Sequence, residues 1–289
     1  MPVSRTHHII QITDTHLFRN PEALLLGLNS QDSFERIISQ ITADPLTPEL
    51  IIATGDIAQD ASTEAYQRFA DTLDTLEVPY YWIPGNHDRV DIMQAVENAR
   101  QALTQQAQTQ QAQNGQKTNR LETNRQIRLG NWQLIMLDTS VPGEVHGFLA
   151  EQELAHLQQC LQQAEQDAAL EHSLVCLHHN PVDGTAGWME DIGLHNAQQF
   201  RELIARYSSV RAVVYGHIHQ ELDFVRDGIR YICTPSTCIQ FKPGVEEFTL
   251  DLQAPAYRKF ELQHDGQLTS SVQRLTDYEV NVDETAEGY

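Results

Sequence analysis

The chain has 289 residues and a formal charge of −21, from 40 acidic and 19 basic side chains. Such a surface repels phosphate polymers and anionic headgroups, and no Lys/Arg run makes a basic groove, so nucleic acid and membrane lipid are excluded as expected partners. A chain of this length buries roughly 75% of its unfolded surface, enough to hold a rigid polar site.

Taken in chain order, apolar runs of strand character alternate with helical ones, the pattern of a layered α/β protein. His8–Ile12 leads into Asp14-Thr15-His16, and Asp32–Ile41 reads as a helix. Leu50–Ala53 leads into Gly55-Asp56, and Ser62–Leu76 reads as a helix with Phe69, Leu73 and Leu76 on one face. Tyr80–Ile83 leads into Gly85-Asn86-His87-Asp88. The stretch 101–124 is rich in Gln, Ala, Thr and Asn, which marks an inserted helix extension or loop on the surface. Trp132–Leu137 adds a strand, and Leu149–Ala164 is a helix with Leu154, Leu157 and Leu161 facing the core. Leu174–Leu177 leads into His178-His179, and Asn196–Tyr207 carries an apolar stripe of Phe200, Leu203, Ile204 and Tyr207. Arg211–Tyr215 leads into Gly216-His217-Ile218-His219; Gly228–Ile232 and Glu247–Leu250 supply further strands, and 265–289 reads as a tail.

Five of these strands are thus followed by metal-ligand side chains, which gathers the ligands at one sheet edge, beyond the strands' carboxyl ends. Any one segment alone reads as turn chemistry or a structural histidine. Independent turns have no reason to share donor chemistry five times over. Carboxylate, amide oxygen and imidazole suit iron, manganese or zinc better than calcium, and the count suffices for two metals. Because Asp14 and His219 must meet, the length prior of ~150 residues per domain yields to a single domain over 1–289. Cys160, Cys176, Cys233 and Cys238 lie in or beside apolar stretches without a Cys-x-x-Cys pair, which points to buried thiols and a cytoplasmic protein. No secretory segment and no run near the ~20 apolar residues of a membrane span is present.

In this order the segments resemble the calcineurin-like metallophosphoesterase superfamily over nearly the whole chain. Residues 11–18, 216–223 and 234–243, with Thr285-Ala286-Glu287-Gly288-Tyr289, are similar to the bacterial class III cyclic-AMP phosphodiesterases. The resemblance implies a four-layer sandwich, two facing mixed β-sheets flanked by helices. It implies two divalent metals, Fe2+ ranked before Mn2+ and Mn2+ before Zn2+. Asp14, His16, Asp56 and His219 would hold one, and Asp56, Asn86, His178 and His217 the other. The implied reaction is hydrolysis of 3′,5′-cyclic AMP to 5′-AMP by a metal-bridging hydroxide, with His87 facing the leaving group rather than a metal. His16, Asp56, Asn86, His87, His219 and His146 would contact the nucleotide. Phe241 and Trp188 are aromatics available to the base.

Gln59 stands where many relatives carry an acid paired with the catalytic histidine, and Asp60, one position on, is available for that pairing. Purple acid phosphatases carry a metal-binding Tyr at the place of Gln59, which is why ferrous iron or manganese is ranked above ferric iron. Of the adjacent pair, His178 matches the family ligand and His179 is a supporting or pocket residue. His7, His8, His156, His172, His195 and His264 are expected in packing or surface roles. The expected partner is a small cyclic nucleotide, with the protein a monomer or homodimer. A broader phosphodiesterase acting on 2′,3′-cyclic nucleotides or glycerophosphodiesters would share the same metal core. A scaffold that kept the fold alone would tend to lose ligands, and here all are intact.

Overall fold

The run His7–Ile12 forms the first strand, β1, and its side chains divide between two cores: Ile9 points to one, Ile10 and Ile12 to the other, as the two-residue period of a strand requires. Leu50–Thr54 (β2) repeats the division, with Leu50 and Ile52 on Ile9's side and Ile51 and Ala53 opposite. Strands buried on both faces read as continuous apolar runs, which is why these segments were visible without polar alternation. Tyr80–Ile83 (β3) pairs parallel to β2. The computed structural model describes residues 5–111, 125–283 and 285–286.

The second sheet is built from Gln126–Leu129 (β4), Trp132–Met136 (β5), His172–Cys176 (β6), Val210–Tyr215 (β7), Leu222–Arg226 (β8) and Ile229–Cys233 (β9). Ala256–Leu262 (β10) and Leu268–Arg274 (β11) return to the first sheet. The strand orders are β11-β10-β1-β2-β3 and β8-β9-β7-β6-β5-β4. Both sheets are mixed: β1-β2-β3 and β9-β7-β6-β5 run parallel, while β10, β11, β8 and β4 pair antiparallel at the flanks.

The sheets face one another across Ile9, Ile52, Trp132, Leu174, Val214 and Phe260. Helices Ser30–Ala43 (α1), Thr63–Asp74 (α2) and Val90–Gln111 (α3) cover the outer face of the first sheet, burying Phe34, Phe69 and Met93 on Ile51 and Tyr80. Glu151–Gln166 (α4) and Ala197–Ile204 (α5) cover the second, with Leu157, Leu161 and Phe200 on Val175 and Val213. The result is the expected four-layer sandwich. Asn29 and Ser62 cap α1 and α2 by accepting the Asp32 and Ala65 amides, each cap contributing about 1 kcal/mol. No helix among the described residues is long and apolar enough to cross a membrane. All four cysteines are buried free thiols, and burial pushes Cys160 up to about 11 and Cys238 to about 12.

Two expectations change. Glu247–Leu250 is not a strand; the paired residues are Leu250–Asp251 with Gln240–Phe241, and 247–249 form a loop. The polar stretch 101–124 agrees with the helix-extension reading where it is described, continuing α3 through Gln111, and 112–124 lie outside the described residues. The segment 265–289 begins as the edge strand β11. The β10-β11 hairpin was hidden because an arginine sits at the centre of β10. Arg258 is buried, its guanidinium donating to the Cys233 carbonyl and, at 3.2 Å, to the hydroxyls of Thr234 and Ser270. Thr234 in turn donates to Gln11, whose amide reaches Thr54 and the Tyr215 carbonyl. This polar chain pins β1, β2, β7 and β9 together beside the ligand-bearing loops.

Candidate metal centre

Each proposed ligand sits just past a strand: Asp14 after β1, Asp56 after β2, Asn86 after β3, His178 after β6, and His217 and His219 after β7. The loops are bound to each other by main-chain hydrogen bonds, Asp14 N–H to Gly55 O at 3.0 Å, His16 N–H to Asp56 O at 2.9 Å and Gly216 N–H to His178 O at 3.1 Å. Ten non-glycine residues among those described have positive φ, and five of them are Asp14, His16, Asp56, His217 and His219. Left-handed backbone costs on the order of 1 kcal/mol per residue and persists where surrounding structure enforces it. Its concentration here marks the loops as shaped for the side chains they carry. Gly85 permits a close approach: a Cβ there would lie 2.1 Å from Asp56 Oδ1.

The histidines are oriented by their outer nitrogens. His178 Nδ1 donates to Thr54 O at 2.7 Å, His219 Nδ1 to Ile239 O at 2.8 Å, His217 Nε2 to Ile192 O at 2.9 Å, and His16 Nδ1 to the Gln59 side-chain oxygen at 2.6 Å. Oxygens of this kind only accept, so the outer nitrogen of each ring carries a hydrogen and the other nitrogen is turned inward. His16 Nε2 and His219 Nε2 then face each other at 3.1 Å, and His178 Nε2 faces Asp56 Oδ2 at 3.3 Å and Asn86 Oδ1 at 3.2 Å. The inward nitrogen of His217 and Asp56 Oδ2 are buried without a hydrogen-bond partner. Converging lone pairs repel unless a cation sits among them, and an outer hydrogen bond to a fixed acceptor is the usual support of a metal-binding imidazole. The donor set fits divalent metal.

Electrostatics favour the same reading. Burial pushes His16 down to about 3, against the raising field of Asp56, and burial with the neighbouring His178 takes His217 to about 3, so both rings are neutral. His178 differs: burial lowers it, but Asp56 and Asp14 raise it to about 9, so a proton competes with a cation for that nitrogen. Burial would raise Asp56, yet the charges of His178 and His87 hold it well below the usual carboxylate range. Ligand-capable atoms within 4.8 Å of one another fall into overlapping groups, Asp14-His16-His219, Asp14-Asp56-His178, His16-Asp56-His87 and His178-His179-His217. Asp56 belongs to two of them, and Asp56 Oδ2 lies 3.9 Å from His16 Nε2 as well as 3.3 Å from His178 Nε2. It stands between the two halves of the cluster.

His179 has both nitrogens engaged, Nε2 donating to Val145 O at 3.1 Å and Nδ1 accepting from the Thr139 hydroxyl at 2.7 Å. That is a supporting role, although the ring lies against His217. Under one metal supply, His178→Ala is expected to lose metal and activity together, whereas His179→Ala keeps its metal and loses at most about 10–100-fold in turnover. Equal metal loss in the two variants would show that His179 is a ligand.

Asp60 does not take the place expected of it: its carboxylate accepts the Arg19 and Ser62 amides and shapes the turn before α2. Gln59, read from sequence only as a departure, orients His16. The acid that organises this region is Asp88. It accepts the Ile57, Ala58 and Gly85 amides and the Tyr66 hydroxyl, tying the loop after β2 to the loop after β3. Its role was not visible from sequence because main-chain partners leave no side-chain pattern. His7 and His172 are buried packing residues, as expected.

A cavity of about 820 Å³ opens on the cluster, with Asn86, His87 and His217 at its floor and Trp188, Phe241 and Phe248 among its walls. His87 is half-buried, its ring edge-on to His16 at 5.1 Å and its amide donating to Asp56 Oδ1 at 2.9 Å. Val145, not His146, is the residue of its loop on the cavity wall; His146 stacks on His195 at 3.6 Å instead. Glu246, Glu247 and Ala286 also line the cavity and were not anticipated. Glu246 and Glu247 come from a short loop and Ala286 from the C-terminal segment, and neither composition carries a signal of its position on the cavity wall.

The family described as calcineurin-like phosphoesterase matches residues 7–221. The chain is 39% identical over 283 residues to the Escherichia coli (strain K12) protein named 3′,5′-cyclic adenosine monophosphate phosphodiesterase CpdA, covering 97% of this chain and 94% of that one. The Vibrio vulnificus protein of the same name is 37% identical over 282 residues, with the same coverage. Among solved structures, a dimetal phosphatase from Danio rerio superposes with a TM-score of 0.55 at 15% identity, covering 93% of this chain and 99% of that one. GAP50, described as the anchor in the inner membrane complex of Plasmodium, superposes at 0.58 and 14% identity, covering 96% of this chain and 89% of that one. At such identities the likeness is one of fold.

Proposed function

The chain belongs to the calcineurin-like phosphoesterase family, and on that premise we propose that it hydrolyses 3′,5′-cyclic AMP to 5′-AMP at a dinuclear metal centre. The observation that carries the substrate is the near-full-length similarity to proteins named as cyclic-AMP phosphodiesterases. We assign Asp14, His16, Asp56 and His219 to one metal and Asp56, Asn86, His178 and His217 to the other. Two divalent cations, when bound, acidify water into a nucleophile and neutralise the phosphoryl oxygens. Fe2+ is ranked first and Mn2+ second, because Gln59 places a neutral amide where a phenolate would favour ferric iron.

The protein's own groups do the rest. The carbonyls of Thr54, Ile239 and Ile192 and the Gln59 amide fix the four imidazoles, so the donor set is assembled before substrate arrives. Asp88 holds the loops that carry Asp56 and Asn86 in one register. His87, on the cavity floor beside the cluster, donates a proton to the departing 3′-oxygen of the ribose. Hydrolysis in the cytoplasm would lower the level of a second messenger, and the buried free thiols suit a reducing compartment.

A panel of substrates tests this. The purified protein, loaded in turn with iron and with manganese, is expected to show its highest kcat/KM on 3′,5′-cyclic AMP. Preference for a glycerophosphodiester or a 2′,3′-cyclic nucleotide would replace the substrate while leaving the metal centre in place.

A further inference from the structure

A metal cluster cleaves any phosphodiester that reaches it, so the size of substrate accepted is set by the cavity walls. One wall has an unusual source. After β11 the chain leaves the first sheet, and Tyr278 packs against the outer cores of both sheets, with the Arg36 guanidinium 5.4 Å from its ring centroid. Val282 then docks on the core of the second sheet. The tight turn Leu26-Gly27 receives this segment: Asp283 N–H donates to Leu26 O at 2.7 Å. A Cβ on Gly27, which has φ +94°, would stand 3.0 Å from Asn281 O and 3.1 Å from Asp283 N. Only glycine lets the two backbones lie this close. Asp283 Oδ1 accepts the Thr285 amide and hydroxyl, turning the chain inward, and Ala286 arrives in the cavity wall alongside His87, Trp188 and Phe241.

We propose that the strap formed by Tyr278–Asp283 and Thr285–Ala286 is a specificity element, a wall that admits mononucleotide-sized diesters and excludes longer ones. The inference rests on the phosphodiesterase reading above. It adds that selectivity for small substrates resides in a segment separate from the metal ligands. Among the described residues, the strap is held by the backbone hydrogen bond from Asp283 to the turn, the apolar seat of Val282 and the two-sided packing of Tyr278 with Arg36 beside its ring. Because Ala286 lines the cavity and none of the proposed metal ligands lies in the strap, removal of the strap is expected to open one side of the cavity while the ligand set remains.

The test compares the full chain with a chain ended after Tyr278 and with Val282→Asp, which keeps every residue but sets a charge on the apolar seat. Two p-nitrophenyl diesters serve as probes, a small methyl ester and an ester of a dinucleotide, both read by p-nitrophenolate release. In both variants the ratio of kcat/KM for the large probe to that for the small one is expected to rise by about tenfold or more, the scale on which a pocket wall discriminates size. Bound metal and thermal midpoint should stay close to those of the full chain. Acrylamide should quench tryptophan fluorescence more strongly, since Trp188 shares the cavity. An unchanged ratio and unchanged quenching in folded, metal-loaded variants would overturn the strap as a wall. If the full chain cleaves both probes but does not prefer 3′,5′-cyclic AMP, the substrate assignment falls while the size ratio still reads the strap. Absence of all diester turnover by the loaded full chain would overturn both.

Discussion

Asp56→Asn is expected to abolish turnover and to lower bound metal while leaving the fold intact. The reason lies in what the second oxygen of Asp56 faces. Oδ1 accepts the His87 amide, and an asparagine can keep that bond through its carbonyl. Oδ2 is buried without a hydrogen bond, 3.3 Å from His178 Nε2 and 3.9 Å from His16 Nε2. An amide NH2 at that place would donate to those nitrogens, satisfying the lone pairs that otherwise call for a cation. The variant thus replaces metal with a neutral hydrogen-bond network of the same shape. It also removes a carboxylate positioned between the two halves of the cluster, and an amide cannot bridge two cations as a carboxylate does. Activity should fall by at least about 10³-fold, the scale on which removing one member of a concerted set disables the whole. Elemental analysis beside a turnover assay reads both effects. Near-normal activity with two metals per chain would remove Asp56 from the bridging position.

The same residue shows what a sequence can and cannot carry. Asp56 was recognisable because Leu50–Ala53 is an apolar run and Gly55-Asp56 follows it, one of five such junctions whose shared donor chemistry is too costly to assign to chance. The strands themselves were legible for a related reason: burial on both faces leaves long apolar words such as Leu50-Ile51-Ile52-Ala53. The β10-β11 hairpin was not legible, because Arg258 interrupts it and is satisfied by Ser270 across the hairpin together with Thr234 and the Cys233 carbonyl from outside it. Support of the site was hidden for the same cause. Gln59 on His16, Thr139 on His179 and Asp88 on the Ile57 and Ala58 amides are contacts between residues far apart in sequence, without a local pattern. Asp60 drew attention as an acid next to the motif, but its oxygens are spent on its own turn. The cavity walls lay furthest from reach, since Ala286 enters only through the docking of Val282 and the turn at Gly27.

His87→Ala separates the catalyst from the ligands around it. Its ring sits on the cavity floor, half-buried and edge-on to His16 at 5.1 Å, although one of its nitrogens comes within reach of the His16-Asp56 pair. Two roles are therefore geometrically open to it, and they predict different losses. A ligand takes its metal with it when removed. A proton donor leaves both metals in place, because the bond that matters to the cluster, from the His87 amide to Asp56 Oδ1, belongs to the backbone and survives the substitution. The variant is expected to retain full metal and to slow hydrolysis of 3′,5′-cyclic AMP by roughly 10²–10⁴-fold, the usual contribution of general acid catalysis. The ribose 3′-alkoxide is a poor leaving group and needs the proton as its bond to phosphorus breaks. A p-nitrophenyl ester departs as a stable anion and should suffer far less. Comparison of the two substrates at constant metal content isolates the step: if both slow by the same factor, or if metal is lost, His87 does not deliver the proton and that part of the mechanism must pass to another group.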